Sequence, residues 1–107
     1  MAEFGRFPIF SPKSVSGAYT MGLDDNCILH TAGGSDAAVT LPLASQVKSK
    51  VIYIQKVDAG AGATVITRSG SDTIGDASAT TVSLGTRFYF RLLMSDGVSR
   101  WIVLSTT

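Results

Sequence analysis

The chain has 107 residues, of which 45% are hydrophobic and 16% charged, and its formal net charge is +1. This length fits one domain, which can bury about 60–70% of the surface that its unfolded chain exposes. So small a net charge provides no strong field for nucleic acid or for an anionic membrane, and neither partner is expected. The low charged fraction favours self-association, because association hides apolar surface.

A single cysteine, Cys27, excludes a disulfide bond within the chain, so the fold must hold without covalent cross-links. No apolar run approaches the ~18 residues that span a bilayer. The first residues, MAEFGRFPIF, lack the basic region, apolar run and cleavage site of a signal peptide. We therefore expect assembly in the cytoplasm.

Residues 1–17 predict an extended N-terminal arm, distinct from a β-domain over residues 18–107. Pro8 and Pro12 exclude a long helix, and each residue before a proline favours extended geometry. Burying one large apolar side chain is worth about 1.5–3 kcal/mol, so those of the arm are expected to dock, either on their own domain or on a neighbouring subunit. These side chains are Phe4, Phe7, Ile9 and Phe10.

Short strands follow from Ala18. Tyr19–Leu23 and Asn26–Thr31 are strand candidates on either side of the acidic turn Asp24-Asp25. Val39–Pro42 alternates apolar and polar residues and ends at the proline. Residues 43–50 are too few for a stable helix and predict a loop or a single helical turn.

The stretch VIYIQKVDAGAGATVITR predicts a hairpin of two strands, Val51–Val57 and Ala63–Arg68. Its β-branched and aromatic residues suit a pleated, half-buried surface. Gly60 and Gly62 in the connection suit a backbone that needs positive φ. Because Val51–Val57 carries apolar residues on both faces, it predicts a central strand covered on both sides.

The last third of the chain predicts four more strands, at Thr73–Ile74, Thr80–Leu84, Arg87–Met94 and Ser99–Leu104, with a hairpin turn at Asp96-Gly97. Within Arg87–Met94, alternation separates two faces. Phe88, Phe90, Leu92 and Met94 are expected to face the core, and Arg87, Tyr89, Arg91 and Leu93 the other side.

About eight short strands, with turn signals roughly every 8–12 residues, predict an all-β fold. The architecture expected from this spacing is an antiparallel sandwich, jelly-roll-like, that follows the extended N-terminal arm. No repeat of fixed period is present in the sequence.

Residues suited to catalysis or metal binding are sparse. Cys27 and His30 lie three apart on a predicted strand, hence on opposite faces, and cannot form a nucleophile–base pair directly. One histidine and one cysteine cannot build a structural zinc site within one chain. Aspartates in turns bind their own backbone by default, although an oxygen-rich calcium site or a carboxylate pair is the alternative. The aspartates concerned are Asp58, Asp72, Asp76 and Asp96. No catalytic residue, cofactor or metal is expected.

Arg87, Tyr89 and Arg91 share one face of a predicted strand. Cations among aromatic residues are typical of surfaces that bind single-stranded nucleic acid. Because the chain has no basic excess, a solvated or subunit-facing surface is favoured instead. Arginine and tyrosine are enriched at protein interfaces, so these residues are expected to contact a partner.

Short motifs follow one another between Ala18 and Ser105. They are Tyr19-Thr20, the turn Asp24-Asp25, Thr40-Leu41-Pro42, Ile52–Asp58, Thr64–Thr67, Asp72–Gly75 and Ser95–Leu104. In this order they resemble a small β-domain of tail-fibre, tailspike and other virion proteins of tailed bacteriophages. The resemblance implies a structural, often oligomeric module without catalysis.

A fibre usually appends this module to a long shaft, whereas here nearly all of the 107 residues are module. The resemblance therefore implies a capsid decoration or cement protein. Such a protein is expected in the virion, assembled in the host cytoplasm, as a homo-oligomer on the major capsid protein or another virion protein. The alternative is a tail-fibre or tail-tip component that binds host surface polysaccharide through Tyr53 or Tyr89. A hydrolase with paired carboxylates is a distant third.

Overall fold

The computed structural model describes residues 10–75 and 78–106. These residues form ten strands and one single-turn 3-10 helix, Ala44–Gln46. The strands are β1 (Pro12–Ser16), β2 (Tyr19–Thr20), β3 (Cys27–Thr31), β4 (Ala37–Thr40), β5 (Val51–Lys56), β6 (Thr64–Thr67), β7 (Thr73–Ile74), β8 (Thr81–Leu84), β9 (Phe90–Ser95) and β10 (Arg100–Thr106).

Two sheets enclose the core. The first has six strands in the order β1-β3-β5-β9-β10-β7, and the second has four in the order β2-β4-β6-β8. Along the chain, β1 to β8 alternate between the sheets, so each connection crosses from one layer to the other. The predicted all-β sandwich is confirmed.

Pairing within the sheets differs from the prediction. Five of the eight pairings between described strands are parallel: β1–β3, β3–β5, β2–β4, β4–β6 and β7–β10. Only β5–β9, β9–β10 and β6–β8 are antiparallel. The predicted antiparallel pairing is therefore wrong for most of the molecule. A jelly roll is an antiparallel architecture, so the observed topology is not the predicted one. From β1 to β6 the chain crosses to the other layer after each strand and returns to each sheet in the same direction, which makes these pairings parallel, whereas β8 returns in the opposite direction to β6.

The predicted hairpin over Val51–Arg68 is wrong as well. Both strands exist, but β5 lies in the six-stranded sheet and β6 in the four-stranded sheet. Gly60 and Gly62 are also not among the residues with positive φ. Instead, a Cβ on Gly62 would overlap the Ser35 carbonyl, and one on Gly60 would overlap the Gly33 carbonyl. Glycine is needed there because the β5–β6 connection packs closely on the β3–β4 connection.

The core lies between the sheets and is built from alternate residues of nearly every strand. Trp101 is fully buried, and its indole Nε1–H donates to the Pro42 carbonyl oxygen at 3.3 Å. The other buried apolar side chains of the cluster are Met21, Ile28, Val39, Leu41, Ala44, Ile52, Ile54, Ile66, Ile74, Leu84 and Leu93.

Strand β9 presents the opposite face from the one predicted. Leu93 is 0% exposed and Ser95 2% exposed, whereas Phe90, Leu92 and Met94 are half-buried on the outer side of the sheet. The Ser95 hydroxyl donates to the Ala44 carbonyl oxygen at 2.7 Å, which satisfies it inside the protein. Both faces of this strand carry apolar residues, so alternation alone did not specify which one faces inward.

The N-terminal boundary also differs from the prediction. Pro12–Ser16, assigned to the arm from the sequence, is edge strand β1, parallel to β3. The arm prediction also gave these residues an extended backbone, but they belong to the six-stranded sheet. Phe4, Phe7 and Ile9 lie outside the described residues. Among those described, Phe10 packs on its own domain, its ring centroid 6.0 Å from that of Tyr53.

Several local predictions are confirmed. The segment 43–50 holds only the single helical turn, β7 covers Thr73–Ile74, and β9 and β10 are joined by a tight turn. Gly97 in that turn has a φ of 81°, which glycine adopts readily. Within the described ranges, no helix has the length and apolarity needed to cross a bilayer.

Candidate interaction surface

Residues 85–89, between β8 and β9, form a loop held against the end of β5, here termed the 85–89 loop. The Phe88 N–H donates to the Lys56 carbonyl oxygen at 2.6 Å, and the Lys56 N–H donates to the Tyr89 carbonyl oxygen at 3.0 Å. The Gln55 side-chain amide donates to the Phe88 carbonyl oxygen at 3.2 Å. Arg87 Nε donates to the Val57 carbonyl oxygen at 3.1 Å. These bonds fix the loop backbone relative to the sheet.

The 85–89 loop directs its large side chains into solvent. Phe88 is 54% exposed and Tyr89 40% exposed, and Arg87 is exposed beside them. The Arg87 guanidinium carbon lies 4.7 Å from the centroid of the Phe88 ring, a cation–π geometry. Arginine and aromatic residues are the types that dominate binding energy at protein interfaces. The loop therefore presents a preorganised contact group.

Phe88 has a φ of 72°, in the left-handed region that L residues with a side chain rarely adopt. The left-handed conformation costs roughly 1–2 kcal/mol per residue. Strain of this kind is concentrated at functional sites, where the surrounding structure maintains it. An exposed phenylalanine in this conformation therefore marks the loop as a candidate functional element.

The predicted contact trio does not lie on one strand. Arg87 and Tyr89 are in the 85–89 loop, whereas Arg91 is in β9, opposite Ile54, and is half-buried. Arg91 Nη1 donates to the Phe90 carbonyl oxygen at 3.0 Å. The loop places Phe88 between Arg87 and Tyr89. Sequence reasoning assigned Phe88 to the core, because the preceding turn signal, Gly85-Thr86, did not show where β9 begins.

The outer face of the six-stranded sheet is apolar. Tyr53 lies between two other rings, with centroids 6.0 Å from Phe10 and 5.3 Å from Phe90. A solvated sheet face is normally polar, so an apolar one indicates a contact surface. Its other half-buried apolar side chains are Leu29, Val51, Leu92, Met94 and Ile102.

A cavity of about 360 Å³ lies at the other end of β5, here termed the β5 cavity. Residues that line it are Phe10, Asn26, Ser49, Lys50 and Val51. Lys50 Nζ donates to the Leu23 carbonyl oxygen at 2.5 Å. That bond ties Leu23, which the acidic turn follows, to a residue of the cavity lining.

The described aspartates considered for chemistry bind backbone N–H groups. Asp72 is buried and accepts from the Ala44 N–H at 2.8 Å. Asp96 accepts from the N–H groups of Val98, Ser99 and Arg100, which lowers the pKa of its carboxyl. Asp58 accepts from Lys56 and from three N–H groups. Asp76 lies outside the described residues. Within the described ranges, no cluster of three metal-ligating side chains is present.

Cys27 and His30 lie on opposite faces of β3, as predicted. His30 is 0% exposed on the inner face, where Nε2 donates to the Gly17 carbonyl oxygen at 2.7 Å and Nδ1 forms a hydrogen bond with the Thr64 hydroxyl at 2.7 Å. Burial raises the pKa of the Cys27 thiol, which keeps it in the unreactive protonated form. Both residues are structural in this arrangement.

Comparison of the chain with family models, curated proteins and solved structures found no match.

Proposed function

We propose that this chain is a structural protein of a tailed-bacteriophage virion, a capsid decoration or cement protein that acts as a homo-oligomer. The observation that carries the proposal is the 85–89 loop, whose exposed Arg87, Phe88 and Tyr89 are fixed by backbone hydrogen bonds. Such an element favours protein contact over chemistry. The motif resemblance supplies the phage setting.

The mechanism of such a protein is mechanical. Surface buried across the junction of two capsid subunits must be exposed again before they separate, which raises the free energy of disassembly. Stable interfaces bury about 800 Å² on each partner. The contact residues proposed are those of the N-terminal segment (Phe4, Phe7, Ile9 and Phe10) together with Arg87, Tyr89 and Arg91.

Binding to phage heads that lack the protein tests the proposal. Addition of the full chain is expected to raise the temperature at which heads release DNA. Deletion of residues 2–9 is expected to remove binding, while the melting temperature of the isolated domain is unchanged. The deletion stops there because Phe10 packs on Tyr53 and Pro12 begins β1. Failure of the full chain to bind heads, or its localisation at the tail tip by electron microscopy, would contradict the proposal.

The second candidate is a tail-fibre or tail-tip component that binds a host surface polysaccharide. The observation that favours it is the row of rings formed by Phe10, Tyr53 and Phe90, since stacked rings on an open face suit sugar rings. Polysaccharide binding that is lost in Tyr53→Ala but kept in Phe88→Ala would support this candidate over the first.

A further inference from the structure

We propose that copies of this chain associate head to tail, with Phe88 of one copy inserted into the β5 cavity of the next. This inference rests on the proposed structural role and names the contact by which the homo-oligomer forms. It requires no second protein, so it is tested with the chain alone.

The two surfaces lie at opposite ends of the same strand. The 85–89 loop bonds to Lys56 and Val57, at the end of β5, and the β5 cavity is lined by Lys50 and Val51, at its beginning. A strand of six residues spans about 20 Å, so Phe88 cannot reach the cavity of its own chain. Two complementary surfaces at opposite ends make a heterologous contact, which repeats into a ring or a filament.

The β5 cavity suits a phenyl ring in size and lining. Its volume is about 360 Å³, whereas a cavity of about 150 Å³ holds a benzene molecule. Phe10 and Val51 supply apolar wall, and the Phe10 ring offers an aromatic partner. Phe88, 54% exposed on a fixed backbone, would lose little conformational freedom on insertion.

Exposed charges of opposite sign, Arg87 and Asp24, accompany the two surfaces, while Lys50, the charged residue of the cavity lining, donates to the Leu23 carbonyl oxygen. The stretch from β8 to β9, residues 81–95, contains Arg87 and Arg91 and no acidic residue. Asp24 is exposed and directly follows Leu23, whose carbonyl oxygen accepts from Nζ of Lys50, a residue of the cavity lining. Asp25 already accepts from Tyr19 at 2.6 Å and from the Gly22 N–H at 2.9 Å. Asp24 is therefore the carboxylate that pairs with Arg87 of the neighbouring copy.

The backbone of Phe88 allows folding and association to be separated. Because φ is 72°, Phe88→Gly relieves strain and should keep or raise the melting temperature. The same change removes the proposed inserted ring. Most substitutions that weaken an interface leave the melting temperature of the chain unchanged or lower it. A higher melting temperature together with lost association would therefore identify Phe88 as an interface residue.

The first experiment is sedimentation equilibrium of the full chain over a concentration series. The wild-type protein is expected to show oligomers that grow with concentration, and Phe88→Gly should weaken association about 30-fold, as for an interface hot spot. Leu104→Ser is the matched control, since Leu104 is 47% exposed and lies in neither surface. A wild-type monomer at millimolar concentration, or unchanged association of Phe88→Gly, overturns the proposal.

The second experiment is complementation between two defective chains. Phe88→Gly and Val51→Glu are each expected to be monomeric, and their mixture is expected to form a dimer and nothing larger, because one intact contact remains. Asp24→Lys, at an exposed position, replaces Val51→Glu if the latter lowers the melting temperature. A mixture that stays monomeric contradicts a head-to-tail contact.

The third experiment exchanges the charges. Arg87→Glu and Asp24→Lys are each expected to weaken association, and the double variant is expected to restore it. No restoration in the double variant excludes this pairing. If Phe88→Gly loses binding to heads yet self-associates normally, the loop is a capsid contact and the head-to-tail proposal fails while the proposed function stands.

Discussion

Lys56 is the least expected residue of the interior, a lysine with 0% exposure. Its Nζ donates to Asp58 Oδ1 at 2.7 Å and to the Gly60 carbonyl oxygen at 3.2 Å. The same carboxylate accepts from the N–H groups of Ala32 and Gly33, each at 3.1 Å. The Asp58 carboxylate thus joins the β3–β4 connection to the β5–β6 connection.

Acid stability should depend on Asp58. The hydrogen bond from Lys56, with those from three backbone N–H groups, outweighs partial burial and holds the pKa of Asp58 well below its usual value of about 3.9. A carboxyl with a lowered pKa stabilises the fold above that usual value, and this contribution is lost as pH falls below about 4. Chemical denaturation of Asp58→Asn should show lower stability at pH 7 and a flatter decline between pH 4 and pH 2.

Asp96→Asn is the comparison for stability at pH 7: the pKa of Asp96 is also lowered, so its removal should flatten the profile in the same sense, but its partners are N–H groups of an exposed turn. It should leave the ion pair and most stability at pH 7 intact. An Asp58→Asn profile parallel to that of the wild type would contradict the role assigned to Asp58.

His30 and Thr64 are a second buried polar pair, both 0% exposed, and they join the two sheets. His30→Phe leaves the Thr64 hydroxyl and the Gly17 carbonyl oxygen without the imidazole, at a cost of about 1–3 kcal/mol for each group left unsatisfied. Thr64→Val should lower stability by a similar amount, because it leaves Nδ1 of His30 without its hydrogen-bond partner. In a double-mutant cycle, the summed losses of unfolding free energy in the two single variants should exceed the loss in the double variant, because the two groups are partners. Simple additivity in urea denaturation would rule out the coupling.

At the scale of elements, the close contact between the β3–β4 and β5–β6 connections depends on glycine. Gly62→Ala places a Cβ against the Ser35 carbonyl, so the packed connections must separate, at a cost of about 1–3 kcal/mol or more. Gly34→Ala is the matched control, because a Cβ there meets no atom within 4 Å. Thermal unfolding should show a lower melting temperature for Gly62→Ala only. Equal effects of the two substitutions would refute the packing argument.

Apart from β1, the strands were visible in the sequence, and their partners were not. Residues 73–74 and the turn at residues 96–97 were located correctly because β-branched pairs and Asp-Gly are local signals. The sheet to which each strand belongs depends on where the chain crosses from one layer to the other, and no local sequence signal indicates those crossings. In register, Pro12 lies opposite Cys27 and Cys27 opposite Tyr53, spacings of 15 and then 26 residues, so no fixed period exists to detect.

At the scale of the whole molecule, Trp101 fills the space between the sheets. Trp101→Ala should cost about 3–5 kcal/mol, much of the 5–15 kcal/mol that stabilises a typical domain. We therefore expect the variant to be largely unfolded or to melt far below the wild type by circular dichroism. Ile102→Ala is the comparison on the outer face, where a half-buried side chain should cost less. A Trp101→Ala protein with wild-type stability would show that this residue is not central to the core.

The sequence by itself determined that the chain is a small, cross-link-free, all-β domain with short strands, because composition, alternation and turn residues are local properties. Alternation along the predicted strand also placed Arg87 and Tyr89 outside the core, and both are exposed, although they lie in a loop before β9. Only the tertiary structure decided three features. They are the parallel pairing of strands between which the chain visits the other sheet, the face of β9 that points inward, and the exposure of Phe88. The reason is that β-pairing and burial depend on residues far apart in the chain, and a shift of one residue reverses every side chain of a strand.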